Sequence, residues 1–368
     1  MRRATAPDEC SGEEVTMRTA TRIAALAVLL FGLIATSARA GERREANNTY
    51  RQHNLVSDGS VPADVVDHDL VNAWGVAFNP NGFVWVVNNG TSTSTLYDGT
   101  GAKAALVVTI PGGAPTGIVF NGSNDFKQRG QPARFIFASE SGAITAWVPP
   151  AVVADLAVDN SASGALYKGL ALGGNGAGHL LYATDFKNGR VDVFDANFAP
   201  VQVAGGFKNR FLPAGYAPFG IQNVNGDIVV TYARQDPNGP DEVAGPGNGY
   251  VAIFDADGTL LRHFNDHQKL NAPWGVALAP AGFGRFGGML LIGNFGDGTI
   301  AAYDAASGEF RGQLRGTDKQ VLKIEGLWGF AFGNGVAGQM PDTLYFAAGP
   351  KDETGGLYGT LTFAGSRD

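Results

Sequence analysis

A short motif built around glycine recurs along this chain, and it constrains the fold more than any other feature of the sequence. The clearest copies are WGVAF at residues 74–78, WGVAL at residues 274–278 and WGFAF at residues 328–332, and weaker copies lie at residues 116–120, 168–172 and 219–221. The aligned glycines are Gly75, Gly117, Gly169, Gly220, Gly275 and Gly329, which lie about 42–55 residues apart. A period of this length is typical of architectures in which each repeat is one small sheet.

Each copy of the motif begins a series of short strands. A second apolar run, a turn rich in Gly, Asn or Asp, and a third run of alternating character follow every copy, and a weaker fourth run closes most units. We therefore predict an all-β fold, a six-bladed β-propeller with four-stranded antiparallel blades. The competing folds fit less well, because a β-sandwich would not repeat one motif six times and a β-helix repeat is much shorter.

The sixth unit ends after its third strand, at residues 357–363, while the β-like residues 50–56 have no unit of their own. A strand formed by residues 50–56 can supply the missing outer strand of the last blade. Such pairing closes the ring and removes an exposed sheet edge. We predict that the N-terminal strand joins the last blade in this way.

The first forty residues have the layout of a signal peptide. Arg18 and Arg22 precede an apolar run at residues 23–35, and Ala38-Arg39-Ala40 is a small-x-small cleavage site. Met17 is an alternative start of translation, and residues 1–16 would then not belong to the protein. We expect a secreted or periplasmic protein in which residues 41–368 form a single propeller domain. Cys10, the one cysteine, precedes the cleavage site, so the mature chain would contain no disulfide.

The sequence argues against binding to nucleic acid and against a C-terminal membrane anchor. The formal net charge is −7 and no cluster of Lys and Arg stands out, so we exclude nucleic acid, whose phosphates need a basic face. The last four residues, 365–368, carry no apolar tail, and we expect no membrane anchor after removal of the signal peptide. We expect a monomer.

Three stretches in the N-terminal third carry a resemblance to a known family. NLVSD at residues 54–58, LVNAWG at residues 70–75 and NNGTSTSTLYDG at residues 88–99 resemble a family of uncharacterised secreted bacterial propellers, some of which carry PEP-CTERM sorting tails. This chain lacks that tail, and the family implies no established activity. More loosely, the blades are similar to NHL repeats and to gluconolactonase-like six-bladed propellers. That likeness concerns the fold, which does not carry a function with it.

Propeller topology predicts which side chains meet at one mouth of the central channel. If the strands of each blade are named a to d from the channel outward, the b–c turns and the d–a connections share one face. Polar residues and tryptophans lie at these positions, and we divide them into two candidate sets. The candidate metal ligands are Asn88, Glu140, Asp185, Asn294 and Glu325. The candidate ligand-binding residues are Asn72, Trp74, Asn89, Arg234, Asn271, Trp274 and Trp328.

Carboxylate and amide oxygens at one mouth suit a hard cation such as Ca²⁺. The resemblance to gluconolactonase-like propellers implies a metal held by residues of these types in such places. The competing interpretation is that Asn and Asp serve only the geometry of short turns. No cofactor is required by the sequence, and Ca²⁺ is the one that we consider.

Two further segments lie on the same face. Residues 233–249 form an unusually long b–c loop with an acidic pair, Asp241-Glu242, and such a loop is either functional or disordered. The acidic run at residues 64–69 could offer oxygen ligands, although we favour a solvated connection.

These observations leave two functional hypotheses open. The first is a module that binds a small polar ligand, a glycan or a protein through its channel-mouth face, which the absence of catalytic motifs favours. The second is a metal-dependent hydrolase of lactones or similar esters, which the polar ring favours. A general acid or base would then be Glu140, Asp185, Glu325 or His68.

Overall fold

A computed structural model describes residue 1, residues 48–264 and residues 268–365. The predicted signal peptide at residues 1–40 lies almost wholly outside the described residues, so it stays a prediction. No helix of the described residues is long and apolar enough to cross a membrane.

Nearly all regular structure is β. The strands, in chain order, are β1 (Tyr50–Ser57), β2 (Val65–Val66), β3 (Ala73–Phe78), β4 (Val84–Asn88), β5 (Thr93–Tyr97), β6 (Lys103–Thr109), β7 (Pro115–Phe120), β8 (Lys127–Gln128), β9 (Gln131–Pro132), β10 (Phe135–Ser139), β11 (Ala143–Trp147), β12 (Asp155–Asp159), β13 (Tyr167–Gly174), β14 (His179–Asp185), β15 (Arg190–Phe194), β16 (Tyr216–Val224), β17 (Asp227–Arg234), β18 (Gly249–Phe254), β19 (Leu260–Phe264), β20 (Pro273–Leu278), β21 (Leu290–Asn294), β22 (Ile300–Tyr303), β23 (Phe310–Gln313), β24 (Leu327–Phe332), β25 (Leu344–Ala348) and β26 (Leu357–Phe363). Two single-turn 3₁₀ helices cover Ser161–Ser163 and Gly284–Phe286.

Six sheets form the blades of a β-propeller, as the repeat predicts, although blade 3 has three strands rather than four and the short β2 adds to blade 6 parallel to β1. Blade 1 is β3-β4-β5-β6, blade 2 is β7-β10-β11-β12, blade 3 is β13-β14-β15, blade 4 is β16-β17-β18-β19, blade 5 is β20-β21-β22-β23 and blade 6 is β24-β25-β26-β1-β2. The first strand of each blade, strand a, lies nearest the channel. Neighbouring blades bury apolar side chains between their faces, as in the cluster that Leu291 of blade 5 and Phe346 of blade 6 share.

The predicted ring closure is confirmed. Strand β1 pairs antiparallel with β26 from Tyr50 opposite Phe363 to Ser57 opposite Leu357, with an irregularity between Asn54 and Val56. The N-terminal strand therefore covers the outer edge of the last blade.

The motif glycines are explained by the packing of strand a against strand a of the next blade. A Cβ atom added to Gly75 would lie 2.5 Å from the carbonyl oxygen of Thr116 in blade 2. One added to Gly329 of blade 6 would lie 2.6 Å from the carbonyl oxygen of Trp74 in blade 1. Real Cβ atoms do not approach backbone so closely, and only glycine lets these strands converge around the channel.

We expect Gly220→Ala to lower the free energy of unfolding by about 1–3 kcal/mol, the usual effect of overpacking a close-packed contact. Its added methyl group would collide with the carbonyl group of Trp274 in blade 5. Gly178→Ala is the matched control, because a Cβ atom there meets nothing within 4 Å. Urea denaturation of the two variants checks this, and equal stabilities would contradict the packing role of the motif glycine.

Candidate functional site

Three tryptophans form the floor of the channel mouth. Trp74, Trp274 and Trp328 lie in the first strands of blades 1, 5 and 6, each just before its motif glycine. The ring centroids of Trp74 and Trp328 are 3.8 Å apart, and Trp274 lies 6.3 Å and 6.1 Å from these two. Phe295 extends this tryptophan floor by stacking on Trp328 at 3.9 Å. The repeat therefore brings three side chains that are distant in sequence into one aromatic surface.

A buried lysine lies on this floor. Lys168 occupies, in the blade 3 copy of the motif, the position that tryptophan holds in three other copies. Its side chain is 2% exposed, and its Nζ atom lies 5.1 Å from the ring centroid of Trp74. The carbonyl oxygen of Lys168 accepts a hydrogen bond of 2.8 Å from Nε1 of Trp274.

Three carboxylates surround the ammonium group of Lys168. Its Nζ atom donates to Oε1 of Glu140 at 2.7 Å and to Oδ1 of Asp241 at 3.3 Å, and it lies 4.0 Å from Oε2 of Glu242. We call these four residues the Lys168 cluster. Burial by itself would lower the pKa of Lys168, but the charges of Glu140 and Glu242 hold it above its usual value. The lysine is therefore a permanent cation in the site.

Glu242 is the unusual carboxyl group of this cluster. Burial raises its pKa to about 7, Glu353 and Asp241 add to the rise, and Lys168 opposes it. Its side chain is 5% exposed, and Oε2 has no hydrogen-bond partner among the described residues. A buried carboxyl group that titrates near neutrality is a candidate for binding or proton transfer.

The titration of Glu242 predicts a pH dependence of stability. Because its folded pKa lies above the usual value for Glu, the native state binds more protons than the unfolded state between about pH 4.5 and pH 7. The free energy of unfolding should therefore fall as the pH rises through this window, by up to about 3 kcal/mol from this group. Glu242→Gln should remove that contribution, whereas the exposed variant Asp227→Asn should retain it. Urea denaturation at pH 5 and pH 8 measures both, and an identical pH dependence in wild type and Glu242→Gln would exclude this titration.

An amide network joins the Lys168 cluster to blade 6. Asn89 donates from Nδ2 to Oε2 of Glu140 at 3.1 Å, and Asn72 donates from Nδ2 to Oδ1 of Asn89 at 3.4 Å and to Oε2 of Glu353 at 2.8 Å. Oδ1 of Asn72 accepts a bond of 3.1 Å from Nε1 of Trp328. The network therefore connects carboxylates of blades 2 and 6 across the tryptophan floor.

A cavity of about 510 Å³ opens beside Glu353. Its lining includes Phe295, Lys323 and four carboxylates, from Asp297, Glu325, Asp352 and Glu353. The backbone of Lys351, Asp352 and Glu353 is left-handed at all three residues, with φ of 58°, 51° and 64°. Consecutive non-glycine residues rarely adopt this conformation, and such outliers concentrate at functional sites.

Two comparisons identify the relatives of the chain. It is 32% identical over 337 residues to uncharacterized protein R648 of Acanthamoeba polyphaga mimivirus, covering 86% of this chain and 81% of the relative. It is also 32% identical over 343 residues to uncharacterized protein L690 of the same virus, covering 86% and 87%. The chain belongs to the family of these viral proteins. No family model matches the sequence.

Solved structures share the fold of this family member. Virginiamycin B lyase from Staphylococcus aureus superposes with a TM-score of 0.52 at 14% identity, covering 85% of this chain and 99% of the lyase. A gluconolactonase-like protein superposes with a TM-score of 0.53 at 14% identity, covering 86% and 92%. At such low identity the likeness extends to the six-bladed propeller and not to the site.

The predicted metal ligands use most of their polar atoms within their own turns. Asn88 donates from Nδ2 to Oγ1 of Thr93 and Thr95, although its buried Oδ1 has no partner among the described residues. Asn294 donates to Oγ1 of Thr299 and to the carbonyl oxygen of Lys269. These bonds hold the b–c turns of blades 1 and 5, which is the turn interpretation that the sequence left open.

The three predicted carboxylate ligands are also engaged separately. Asp185 accepts from the backbone N–H groups of Leu166 and Asn188, Glu325 accepts from the N–H of Lys351, and Glu140 binds the ammonium of Lys168. Among the described residues, no group of three His, Cys, Asp or Glu side chains is arranged to hold a metal ion. The donor set fits a metal poorly, so the Ca²⁺ site stays a prediction and we derive no step through a metal.

Five of the seven predicted ligand-binding residues lie together, namely Asn72, Trp74, Asn89, Trp274 and Trp328. Asn271 instead supports the long b–c loop, because its Oδ1 accepts from the N–H of Gly245 at 2.7 Å. Arg234 is exposed at the end of β17. The long loop joins β17 to β18 and carries Asp241 and Glu242 to the lysine.

The sequence interpretation missed Lys168 and Glu353 as site residues, and it named Glu242 only as part of the acidic pair in the long loop. One signal was available, because Lys168 replaces tryptophan in the repeated motif. The acidic run at residues 64–69 is largely solvated, as we favoured, except at Asp67. Asp67 is buried and accepts from the hydroxyl of Tyr97 at 2.6 Å and from Nζ of Lys103 at 2.7 Å.

Proposed function

We propose that the protein binds a small polar ligand at the channel mouth, above the tryptophan floor and against the Lys168 cluster. The observation that carries this proposal is the open cavity beside Glu353, whose lining places four carboxylates and Lys323 against Phe295 of the tryptophan floor. Next to this cavity, Oε2 of Glu242 and Nε1 of Trp74 are buried without a hydrogen-bond partner among the described residues, so the region is polar and incompletely satisfied.

A small ligand fits this site better than a glycan chain or a protein surface. The cavity beside Glu353 holds about 510 Å³, which matches a small molecule. Small-molecule sites commonly combine an apolar wall with a few placed polar groups in a cavity of this size. We also propose that the chain acts outside the cytoplasm, which rests on the signal-peptide layout of residues 1–40.

A hydrolytic or other acid–base activity is the second candidate function. The observation that favours it is the pKa of Glu242, which burial raises to about 7. A group with a pKa near the working pH can both accept and donate a proton during turnover. Loss of ester or lactone turnover in Glu242→Gln, with ligand binding retained, would establish this second function.

The binding function is tested by a thermal-shift screen with neutral, anionic and cationic small polar compounds. A compound that binds only the folded state raises the melting temperature as its concentration increases. We expect at least one class to do so, and we expect Asn89→Ala to weaken its affinity at least tenfold, because Asn89 joins the two halves of the network.

Asn81→Ala is the matched control for this screen. Asn81 is exposed in the a–b turn of blade 1, on the opposite face of the propeller. Its variant should respond like the wild type. If no compound of any charge raises the melting temperature, or if Asn89→Ala responds fully, the channel mouth is not the binding site.

A further inference from the structure

The channel mouth carries an excess of negative charge in two adjoining sets of side chains. The cavity beside the floor presents the carboxylates of Asp297, Glu325, Asp352 and Glu353 and one ammonium group, that of Lys323. The Lys168 cluster presents three carboxylates to one ammonium group. Carboxylates that line a partly enclosed cleft reinforce one another's field and attract cations into it.

Two buried polar atoms in this region lack a partner within the described part of the chain. Oε2 of Glu242 belongs to a side chain that is 5% exposed, and Nε1 of Trp74 to a residue that is 1% exposed. The acidic mouth therefore also contains a weakly compensated acceptor, Oε2 of Glu242, whose ammonium partner on Lys168 lies 4.0 Å away.

Lys168 demonstrates how this surface holds an ammonium group. Its Nζ atom lies 5.1 Å from the ring centroid of Trp74 and 2.7 Å from Oε1 of Glu140. Attraction between a cation and an aromatic face is strongest where both are desolvated, as they are here. The same combination continues into the cavity, where Phe295, stacked on Trp328, lies among the four carboxylates.

We propose that the ligand of this site is an organic cation, such as a primary amine or guanidinium carrying an apolar group, with Glu353 as its main charge partner. This inference rests on the proposed binding function and names its ligand class. Glu353 is placed for the role because it lines the cavity and its Oε2 atom is held by Asn72. An organic cation suits the mouth better than a metal ion, since aromatic faces supply no metal ligands.

The electrostatics of Glu353 agree with this assignment. Burial raises its pKa, the Asn72 hydrogen bond and Lys168 oppose the rise, and Glu140 and Asp241 add to it. Among the described residues, no Lys, Arg or His side chain forms an ion pair with Glu353 within 4.0 Å. A bound cation would provide one and would favour the ionised form.

Phenethylamine and phenethyl alcohol provide a matched pair of probes, because they share size and aromatic ring but only the amine is charged at pH 7. We expect titration calorimetry and intrinsic tryptophan fluorescence to show binding of the amine at least tenfold tighter than of the alcohol. The affinity for the amine should weaken as sodium chloride is added, since exposed charge interactions are screened.

Charge-neutralising variants test which carboxylate binds the amine. Glu353→Gln preserves the side-chain shape and the acceptor for Asn72, and it should weaken amine binding at least tenfold. Glu325→Gln, at an exposed position of the same cavity, should weaken it about two- to fivefold without affecting folding. Asp227→Asn, at the exposed first residue of β17 next to the a–b turn of blade 4, should leave it unchanged.

The outcomes separate the two proposals. Equal affinity for the amine and the alcohol, no measurable amine binding, or full amine binding by both Glu353→Gln and Glu325→Gln would each overturn the cation assignment. In those cases the binding function survives if neutral or anionic compounds of the broader screen depend on Asn89. If no compound of any class binds, both proposals fall.

Discussion

A chain that begins at Gly59 is expected to lose most of its stability relative to a chain that begins at Asn48. The segment between these starts contains strand β1, which closes the ring on β26. Tyr50, Leu55 and Val56 of this strand are at most 4% exposed. Each such side chain contributes about 1.5–3 kcal/mol by its burial, and together they approach the typical stability of a whole domain, about 5–15 kcal/mol.

Tyr50 accounts for much of this expected loss of stability. Its hydroxyl group donates a hydrogen bond of 3.0 Å to the carbonyl oxygen of Phe283, and its ring packs against Phe283, Phe286 and Phe363. We expect Tyr50→Ala to cost about 3–5 kcal/mol, as large aromatic deletions in cores do. Arg51→Ala, exposed on the same strand, should cost little.

Urea denaturation of the two chains and the two point variants measures these differences. The exposed edge left on β26 should also promote aggregation of the shorter chain, which light scattering detects. If the chain that begins at Gly59 unfolds at the same urea concentration as the longer one, strand β1 does not hold the ring closed.

The second large effect is expected from Lys168→Met. Removing the ammonium group leaves Glu140 and Glu242 close together without their common counter-ion, and breaking a buried ion pair from one side costs about 3–5 kcal/mol. The full loss in the free energy of unfolding is expected at pH 8. It should shrink at pH 5.5, because Glu242, with a pKa of about 7 even beside the lysine, is then protonated and neutral.

Urea denaturation at both pH values checks this expectation, with Lys187→Met as the control at an exposed lysine of the same blade. The double variant Lys168→Met, Glu242→Gln should recover part of the stability lost at pH 8, because it removes one of the unpaired charges. An equal loss at both pH values would mean that packing of the lysine side chain, rather than its charge, stabilises the fold.

The order of strands and the closure of the ring followed from the sequence because both depend on local pattern. Apolar alternation and turn residues specify each strand, and the spacing of Gly75, Gly117 and their counterparts specifies the number of blades. The unassigned segment before blade 1 and the missing strand of blade 6 then leave one pairing, which β1 and β26 make. The tryptophans could be placed at one mouth for the same reason, since each holds the same position in its repeat.

The chemistry of the site depended on contacts that no local pattern encodes. Glu140, Glu242 and Glu353 belong to loops of three different blades, and their charge matters only because tertiary folding buries them around Lys168 and Asn72. The sequence equally permitted Asn88, Asp185 and Asn294 to face a ligand, but the hydrogen bonds of their own turns engage them first. The sequence alone thus determined the ring and which residue types face its mouth. Only the three-dimensional arrangement decided which of them are buried together, because desolvation and pairing depend on distance in space and not along the chain.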